Sequence, residues 1–184
     1  TAGEASEKLA QILRMRRQLE FGRIPQIRDL VSSFDSVAVH FDPRDGEAVI
    51  EWLKSIEIPA AIEDVATSDR THEIPLRYGN DLDKVAKKLG RTVDEVIRLH
   101  SCATYTVAAI GFSPGFPYLI GLPQELRLPR LDTPRPVSAG SVAIAGDQAG
   151  IYPFNSQGGW HAFFVPFARP HGHLEQHRQS ATAG

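Results

Sequence analysis

The sequence predicts an α+β protein in which a small α/β unit precedes a small β-barrel. Helix, strand and helix patterns follow one another within the first sixty residues, which is typical of a layered α/β unit. From residue 71 onward, short strand-like segments alternate with Gly and Pro turns, which is typical of a small barrel. A chain of 184 residues has room for two small domains. We therefore predict domains at 1–70 and 71–166, followed by a disordered tail at 167–184.

The first unit contains three periodic segments. Residues 4–20 repeat apolar side chains at helical spacing. Residues 36–41 alternate as a strand does, and residues 45–56 return to helical spacing. The apolar positions of the three segments are Leu9, Ile12, Leu13 and Leu19, then Val37, Val39 and Phe41, then Val49, Trp52, Leu53 and Ile56. Residues 57–71 are interpreted as the domain boundary.

The second unit begins with a predicted strand and two predicted helices. Residues 72–79 alternate, and residues 80–90 follow with a helical stripe that stops at Gly90. The next helix begins with a capping box, because the side chains of Thr92 and Glu95 can each bond the amide of the other residue. The strand alternates around Ile74, Leu76 and Tyr78, and the helical stripe comprises Leu82, Val85, Ala86 and Leu89.

Three further strands are predicted in the second unit. Residues 105–112 form the first, and residues 140–146 and 150–154 form two short ones separated by the turn 147–149. The histidines of "HGHLEQH" (171–177) have the chemistry of metal ligands, but we interpret this segment as a surface tail and predict no metal site.

The composition excludes several functional classes. The net charge of −2 and the pI of about 6.4 provide no basic surface, so we expect no nucleic-acid partner. No apolar run reaches membrane-spanning length, and the first residues lack the basic and apolar stretches of a signal peptide. A single cysteine, Cys102, rules out an internal disulfide. We therefore expect a cytoplasmic protein with no membrane partner.

The run "GFSPGFPYLIGLPQELRLPRLDTPRP" (111–136) is too broken for a long helix and too apolar for a flexible linker. A rigid loop with the aromatic faces of Phe112, Phe116 and Tyr118 can form the wall of a binding pocket. The alternative is that these rings plug the end of the barrel. The residue types alone somewhat favour the plug.

Two arginines follow the aromatic residues. Arg130 and Arg135 are each held beside prolines, which suits a bidentate contact with a ligand carboxylate. The alternative is an internal ion pair with Asp132 or Glu125, or simple exposure. Residue types alone leave these alternatives open.

Two further polar residues are candidates for chemistry. His100 lies on the apolar face of its helix, where a buried histidine is more common than a general base. Gln148 can hydrogen-bond an amide-containing ligand or its own turn. The glycines around "GSVAIAG" match neither a phosphate-binding loop nor a nucleophile elbow. The residues alone therefore indicate a domain with a pocket and no self-sufficient catalytic motif, and they leave both an enzyme and a binding module open.

Three segments together resemble a known family. "IPLRYGNDLDKVAKKLGRTVDEVIRLHS", "YTVAAIGFSPGFPYLIGLPQEL" with the PR and PRP pairs after it, and "AGSVAIAGDQAGIYPFNSQGGWH" are similar to the family of allophanate hydrolase subunit 1 and the 5-oxoprolinase B subunit. The similarity extends from about residue 74 to 160 and is weaker at 28–43. It implies a ferredoxin-like α/β domain followed by a cyclophilin-like β-barrel.

The resemblance also implies an activity and partners. Members of the family act with a C subunit, which is allophanate hydrolase subunit 2-like, and with a LamB/YcsF-like A subunit. The complex uses ATP to open 5-oxo-L-proline to L-glutamate, and this chain is expected to be inactive alone. The alternatives are an inhibitor of a sensor histidine kinase, an allophanate or urea-amide hydrolase component and, by fold analogy only, a prolyl isomerase.

The family also suggests site residues. We expect the catalytic candidates to be His100, Arg135 and Gln148. The expected substrate-binding residues are Phe112, Pro114, Phe116, Tyr118, Arg130, Gly140, Ser141, Tyr152 and Trp160.

The sequence departs from the family at both ends. Members have a strand before the first helix, so this strand is expected to lie outside this sequence. After Trp160 and His161 the chain also departs from the family pattern. The resemblance therefore does not extend to the last barrel strand or to the contact with the C subunit.

Overall fold

The computed structural model describes residues 2–57, 71–79 and 81–165. The chain divides into two compact units, Thr1–Asp69 and Arg70–Ala183. Most of the predicted boundary segment and the whole predicted tail at 167–184 lie outside the described residues. Both units mix helices with open sheets, which confirms the α+β class at that level.

The first unit is a β-hairpin with two helices. Its elements are α1 (Ala2–Phe21), β1 (Ile27–Ser32), β2 (Val37–Phe41), a 3₁₀ turn (Pro43–Asp45) and α2 (Gly46–Ser55). The hairpin is antiparallel. Its core contains Leu19, Ile27, Leu30, Val49 and Trp52. The Trp52 Nε1–H donates a hydrogen bond of 2.7 Å to the Gly22 carbonyl, so the buried ring has its polar edge satisfied.

The predicted elements of this unit are confirmed with two corrections. The apolar stripe of α1 is buried, and the three predicted apolar positions of β2 are shielded on one face of the strand. Strand β1 was not predicted. The assignment of Leu53 to the buried face of α2 was wrong, since 40% of this residue is exposed.

The second unit contains two helices and most of the strands. Its elements are β3 (Arg77–Tyr78), α3 (Leu82–Leu89), α4 (Val93–Ser101), β4 (Thr106–Ile110), β5 (Pro117–Ile120), a 3₁₀ turn (Gln124–Leu126), β6 (Arg135–Val137), β7 (Val142–Ala145), β8 (Gln148–Ile151), β9 (Ser156–Gly158), β10 (His161–Ala162) and β11 (Phe164–Val165). Helix α3 ends at Gly90 in the left-handed conformation, and α4 begins with the predicted capping box. Both local predictions of helix ends are confirmed.

The strands of this unit form one larger sheet and two ribbons. The sheet has the order β10-β7-β8-β5-β4, and all its described pairs are antiparallel. The ribbons are β6-β9 and β3-β11. The turn between β7 and β8 is shorter than predicted, because Ala145 pairs with Gln148 and only Gly146 and Asp147 lie between them. Gly146 has a positive φ of 60°, which a two-residue turn of this kind requires.

Two other predictions need correction. The strand at 72–79 shrinks to Arg77–Tyr78, and Pro75, which has no amide to donate to a neighbouring strand, lies in the irregular part. The Gly- and Pro-rich run is not one loop, since it contains β5 and the start of β6. Pro117 is accommodated because it is the first residue of its strand.

Strand β7 is buried on both faces and thereby separates two cores. Val142 and Ile144 pack into a core with α3 and α4, which we call the helix face of the sheet. Ala143 and Ala145 pack against aromatic side chains on the opposite face, which we call the aromatic face. Because strand side chains alternate, one short apolar strand serves both cores.

Candidate binding site

Four aromatic side chains meet on the aromatic face, and we call them the aromatic cluster: Phe116, Tyr118, Tyr152 and Trp160. Tyr118 lies on β5, while the other three lie immediately beside β5, β8 and β10. The ring of Phe116 is at the centre, with centroids 4.9 Å from Tyr118, 5.1 Å from Tyr152 and 5.9 Å from Trp160. All these pairs have edge-to-face geometry, which suits the quadrupoles of the rings. The structure therefore brings these four predicted residues together.

Two glycines make room for the cluster. A Cβ atom on Gly150 would lie 2.7 Å from Cζ of Phe116 and 3.1 Å from Cζ3 of Trp160. A Cβ atom on Gly158 would meet the hydroxyl of Tyr152. Neither position has space for a Cβ atom, so both require glycine for packing.

Phe112 presents an exposed ring beside the cluster. It is 62% exposed, although its ring centroid lies 5.3 Å from that of Phe116 and 6.2 Å from that of Tyr152. Its φ of 63° is costly for a residue with a side chain. The loop holds it there with a 2.7 Å bond from the Ser113 amide to the Gly111 carbonyl and a 3.1 Å bond from the Gly111 amide to the Phe116 carbonyl. Backbone strain of this kind concentrates at functional sites.

Arg130 adds a cation to the cluster. Its guanidinium carbon lies 5.8 Å from the centroid of the Trp160 ring, within the range of a cation–π contact. Burial raises the pKa of the Tyr152 hydroxyl, and the nearby charge of Arg130 partly offsets this rise. Among the described residues, Arg130 is exposed and makes neither of the alternative ion pairs with Asp132 and Glu125.

Arg135 is paired with a residue that the sequence did not indicate. Its Nη2 forms an ion pair with Oδ2 of Asp81, and Lys84 Nζ lies 3.0 Å from Oδ1 of the same carboxylate. Burial pushes the pKa of Asp81 upward, but the hydrogen bonds from Arg135 and Lys84 outweigh it, so the pKa lies below its usual value. The internal alternative for Arg135 was therefore correct in kind but wrong in its partner.

Gly140 and Ser141 hold the backbone of Tyr152. The amide of Gly140 donates to the Tyr152 carbonyl at 2.6 Å, and the Tyr152 amide donates to the Ser141 carbonyl at 2.9 Å. Gly140 has a φ of 78°, and Ser141 is buried. These two predicted binding residues thus position the aromatic cluster through the main chain. Their predicted contact with substrate stays a prediction.

A groove of about 460 Å³ lies along the β6-β9 ribbon. Its lining is Pro136, Val137, Ser138, Asn155, Ser156 and Gln157. None of the predicted site residues lines it, but Val137 belongs to both the groove and the core beneath the aromatic cluster. The groove is therefore a neighbour of the predicted site and was not found from the sequence.

His100 lies in a different aromatic group. It is 4% exposed, and its ring centroid is 5.2 Å from that of Tyr105 and 5.4 Å from that of Phe163. Its Nδ1 is 3.3 Å from the Tyr78 hydroxyl. Burial lowers the pKa of His100 to about 4, so the ring is neutral at pH 7. The interpretation of His100 as a buried histidine is confirmed, and its catalytic role stays a prediction.

Gln148 and Pro114 lie outside the ring contacts of the cluster. Gln148 opens β8 opposite Ala145 and is half-buried. Pro114 is exposed in the loop that presents Phe112. The roles assigned to both residues stay predictions.

Two buried polar residues were missed by the sequence analysis. Asp81 precedes α3, and His161 opens β10 with its Nε2 2.9 Å from the Pro129 carbonyl. Burial lowers the pKa of His161, and the Pro129 carbonyl opposes this shift. The only sequence signal for His161 is its place in the Gly-Gly-Trp-His motif, and Asp81 has none beyond its position before a helix.

Two features are absent from the described ranges. No group of three or more His, Cys, Asp or Glu side chains is arranged to hold a metal ion there. No helix in the same ranges has the length and apolarity needed to cross a membrane.

The chain belongs to the carboxyltransferase domain family, subdomain C and D, whose profile matches residues 2–163. It is 55% identical over 121 residues to the 5-oxoprolinase B subunit of Haemophilus influenzae, covering 63% of this chain and 56% of the relative. It is 45% identical over 152 residues to the 5-oxoprolinase B subunit of Bacillus subtilis, covering 74% of this chain and 63% of the relative. The chain thus spans little more than half the length of these relatives.

Solved structures agree with the fold. The crystal structure of TTHA0988 matches with a TM-score of 0.72 and 36% identity, covering 87% of this chain and 31% of that one. The K. lactis urea amidolyase matches with a TM-score of 0.60 and 18% identity, covering 88% of this chain and 12% of that one. At 18% identity the second match bears on the fold alone.

Proposed function

We propose that this chain is part of the B subunit of an ATP-dependent 5-oxoprolinase. The observation that carries the proposal is the 45–55% identity to two bacterial proteins that bear the name of the 5-oxoprolinase B subunit. In this proposal the complex couples ATP hydrolysis to the addition of water across the ring amide of 5-oxo-L-proline, which breaks the C–N bond and releases L-glutamate. The chain is inactive alone and needs its partner subunits.

The aromatic face supplies groups that suit this substrate. 5-Oxoproline is a small ring with an apolar body, a polar amide and a carboxylate. In the proposal the exposed ring of Phe112 contacts the apolar body, and Arg130 and Arg135 attract the carboxylate. Gln148 bonds the ring amide, because its side chain can both donate and accept. Edge-to-face aromatic packing beneath the site keeps these walls rigid.

The finer features of the proposal follow the family. They comprise a ferredoxin-like first domain, a cyclophilin-like barrel as the second, a cytoplasmic location, a C subunit that is allophanate hydrolase subunit 2-like and an A subunit that is LamB/YcsF-like. ATP is used by the whole complex, and no autonomous ATP site is proposed in this chain.

The decisive experiment is reconstitution. The full-length protein is co-expressed with candidate A and C subunits, and ATP-dependent release of glutamate from 5-oxoproline is measured. We expect release that requires all three subunits. A complex that assembles but releases no glutamate contradicts the proposal and favours the alternative of a kinase inhibitor, which an autophosphorylation assay then tests.

The same assay tests the role of Arg135 in binding the substrate carboxylate. Arg135→Ala is expected to lower kcat/KM for 5-oxoproline at least ~10-fold, because a bidentate carboxylate contact is lost. The matched control is Arg127→Ala, which removes an exposed arginine of the same unit. Equal activity of the two variants, both in assembled complexes, would remove the role assigned to Arg135.

A further inference from the structure

Asp81 is a shielded carboxylate without an assigned role in the proposed function. Its side chain is 12% exposed, and it accepts from two cations, Arg135 and Lys84. The two cations outweigh the one carboxylate by one positive charge. The group therefore stays attractive to an anion although Asp81 is present.

The β6-β9 ribbon brings the backbone of Arg135 close to the aromatic cluster. Residues Arg135 and Val137 lie two apart on β6 and so point to the same face of the ribbon. Gly158 pairs with Arg135, and a Cβ atom on Gly158 would meet the Tyr152 hydroxyl and lie 3.0 Å from Cγ2 of Val137. The Cβ atom of Arg135 is therefore directed to the face of the ribbon that covers Tyr152, and its side chain ends at Asp81, which precedes α3.

The guanidinium of Arg135 is paired with Asp81, but its side chain is still partly exposed. The ion pair with Asp81 is formed through Nη2 of Arg135. The Arg135 side chain is 34% exposed, so a ligand can reach it from solvent. An arginine fixed by a carboxylate on one edge is pre-organised to bind a second carboxylate through its other N–H groups.

We propose that Asp81 is a positioning residue that fixes Arg135 at the rim of the aromatic cluster to bind the substrate carboxylate. This inference rests on the proposed function, because it takes 5-oxoproline as the ligand. Asp81 itself does not touch the substrate. Its effect on activity must therefore pass through Arg135, which is a property that a double-mutant cycle measures.

The test uses the assembled complex of full-length subunits. Asp81→Asn is made in the wild-type protein and in an Arg135→Gln background, and kcat and KM for 5-oxoproline are measured in each. We expect Asp81→Asn alone to raise KM about 10-fold with kcat within about 2-fold, and to change KM by less than about 2-fold when Arg135 is already absent. Asp83→Asn, on the exposed side of α3, removes the same charge and serves as the control.

Each outcome decides the inference. Equal losses in both backgrounds, or a KM for Asp81→Asn that matches Asp83→Asn, overturn the positioning role while the 5-oxoprolinase function stands. A wild-type complex without activity overturns the function and this inference together. If Asp81→Asn does not assemble, Asp81→Glu is used instead, because it keeps the charge. Calorimetric titration with 5-oxoproline must then show weaker binding for Asp81→Glu than for the wild type. In the Arg135→Gln background, Asp81→Glu must leave the binding unchanged.

Discussion

The two faces of the five-stranded sheet differ in how they treat polar groups. On the helix face, His100 is enclosed by Tyr105 and Phe163, and burial keeps it neutral. On the aromatic face, a cation lies over Trp160 and the ring of Phe112 is exposed. A sealed face of this kind stabilises the fold, whereas an open face with an accessible cation can bind a ligand. Both aromatic groups are buried cores, but the one on the aromatic face also has an exposed ring, Phe112, and an exposed cation, Arg130, beside it.

The largest effect on the aromatic face is expected from adding a side chain at Gly150. Gly150→Ala places a methyl group within 3 Å of two atoms of the buried Phe116 ring, which cannot move away because it is 2% exposed. We expect a loss of about 3 kcal/mol in the free energy of unfolding, at the upper end for overpacking. Urea denaturation measures it. Gly159→Ala is the control, since a Cβ atom there would have only an ordinary contact at 3.7 Å, and equal stability of the two variants would contradict this account of the packing.

The helix face is tested by pH. Because the pKa of His100 falls from 6.5 to about 4 on folding, the unfolded chain binds more protons between these values. Stability from this histidine is complete above pH 6.5 and is lost as pH falls toward 4. From pH 7.5 to 5 the loss is about 2 kcal/mol by linkage.

His100→Gln removes this titration, so the difference in unfolding free energy between pH 7.5 and 5 should shrink by about that 2 kcal/mol. Urea denaturation of both proteins at the two pH values provides the comparison. His161, whose pKa is also lowered by burial, keeps its own contribution in both proteins and so cancels from the difference. A variant with the same pH dependence as the wild type would mean that His100 is more solvated than its surroundings indicate.

The smallest expected effect sharpens the role of the cation. Arg130→Ala removes the guanidinium above Trp160, and an exposed cation–π contact contributes about 0.5–1 kcal/mol. Thermal or urea unfolding measures the difference, with Arg127→Ala as an exposed control on the same stretch. If the two variants are equally stable, Arg130 has no packing role, and any loss of ligand binding in Arg130→Ala is then due to charge alone.

Local signals were sufficient for the helix face. The capping box of Thr92 and the left-handed Gly90 depend on neighbours within a few residues, so the sequence located both helix ends correctly. The spacing of apolar residues likewise predicted which sides of α3 and α4 are buried. Strands were harder. Those inside the Gly- and Pro-rich run were missed because short strands depend on partners elsewhere in the chain.

The residues of the aromatic face were predicted, but their arrangement was not. The sequence selected Phe116, Tyr118, Tyr152 and Trp160, and the structure joins them. It also placed His100 with them, whereas α4, which carries His100, packs into the opposite core beside Phe163. No spacing rule indicates which side of a sheet a distant helix will cover.

What the sequence by itself determined is the set of elements with short-range causes, together with the family and the residue types of the site. Only the tertiary structure decided that Arg135 pairs with Asp81 and that Gly150 must make room for Phe116. The physical reason is that both contacts join segments far apart in the chain. Helix capping and periodicity act over a few residues, but the partner of a buried charge or ring is chosen by the packing of the whole unit.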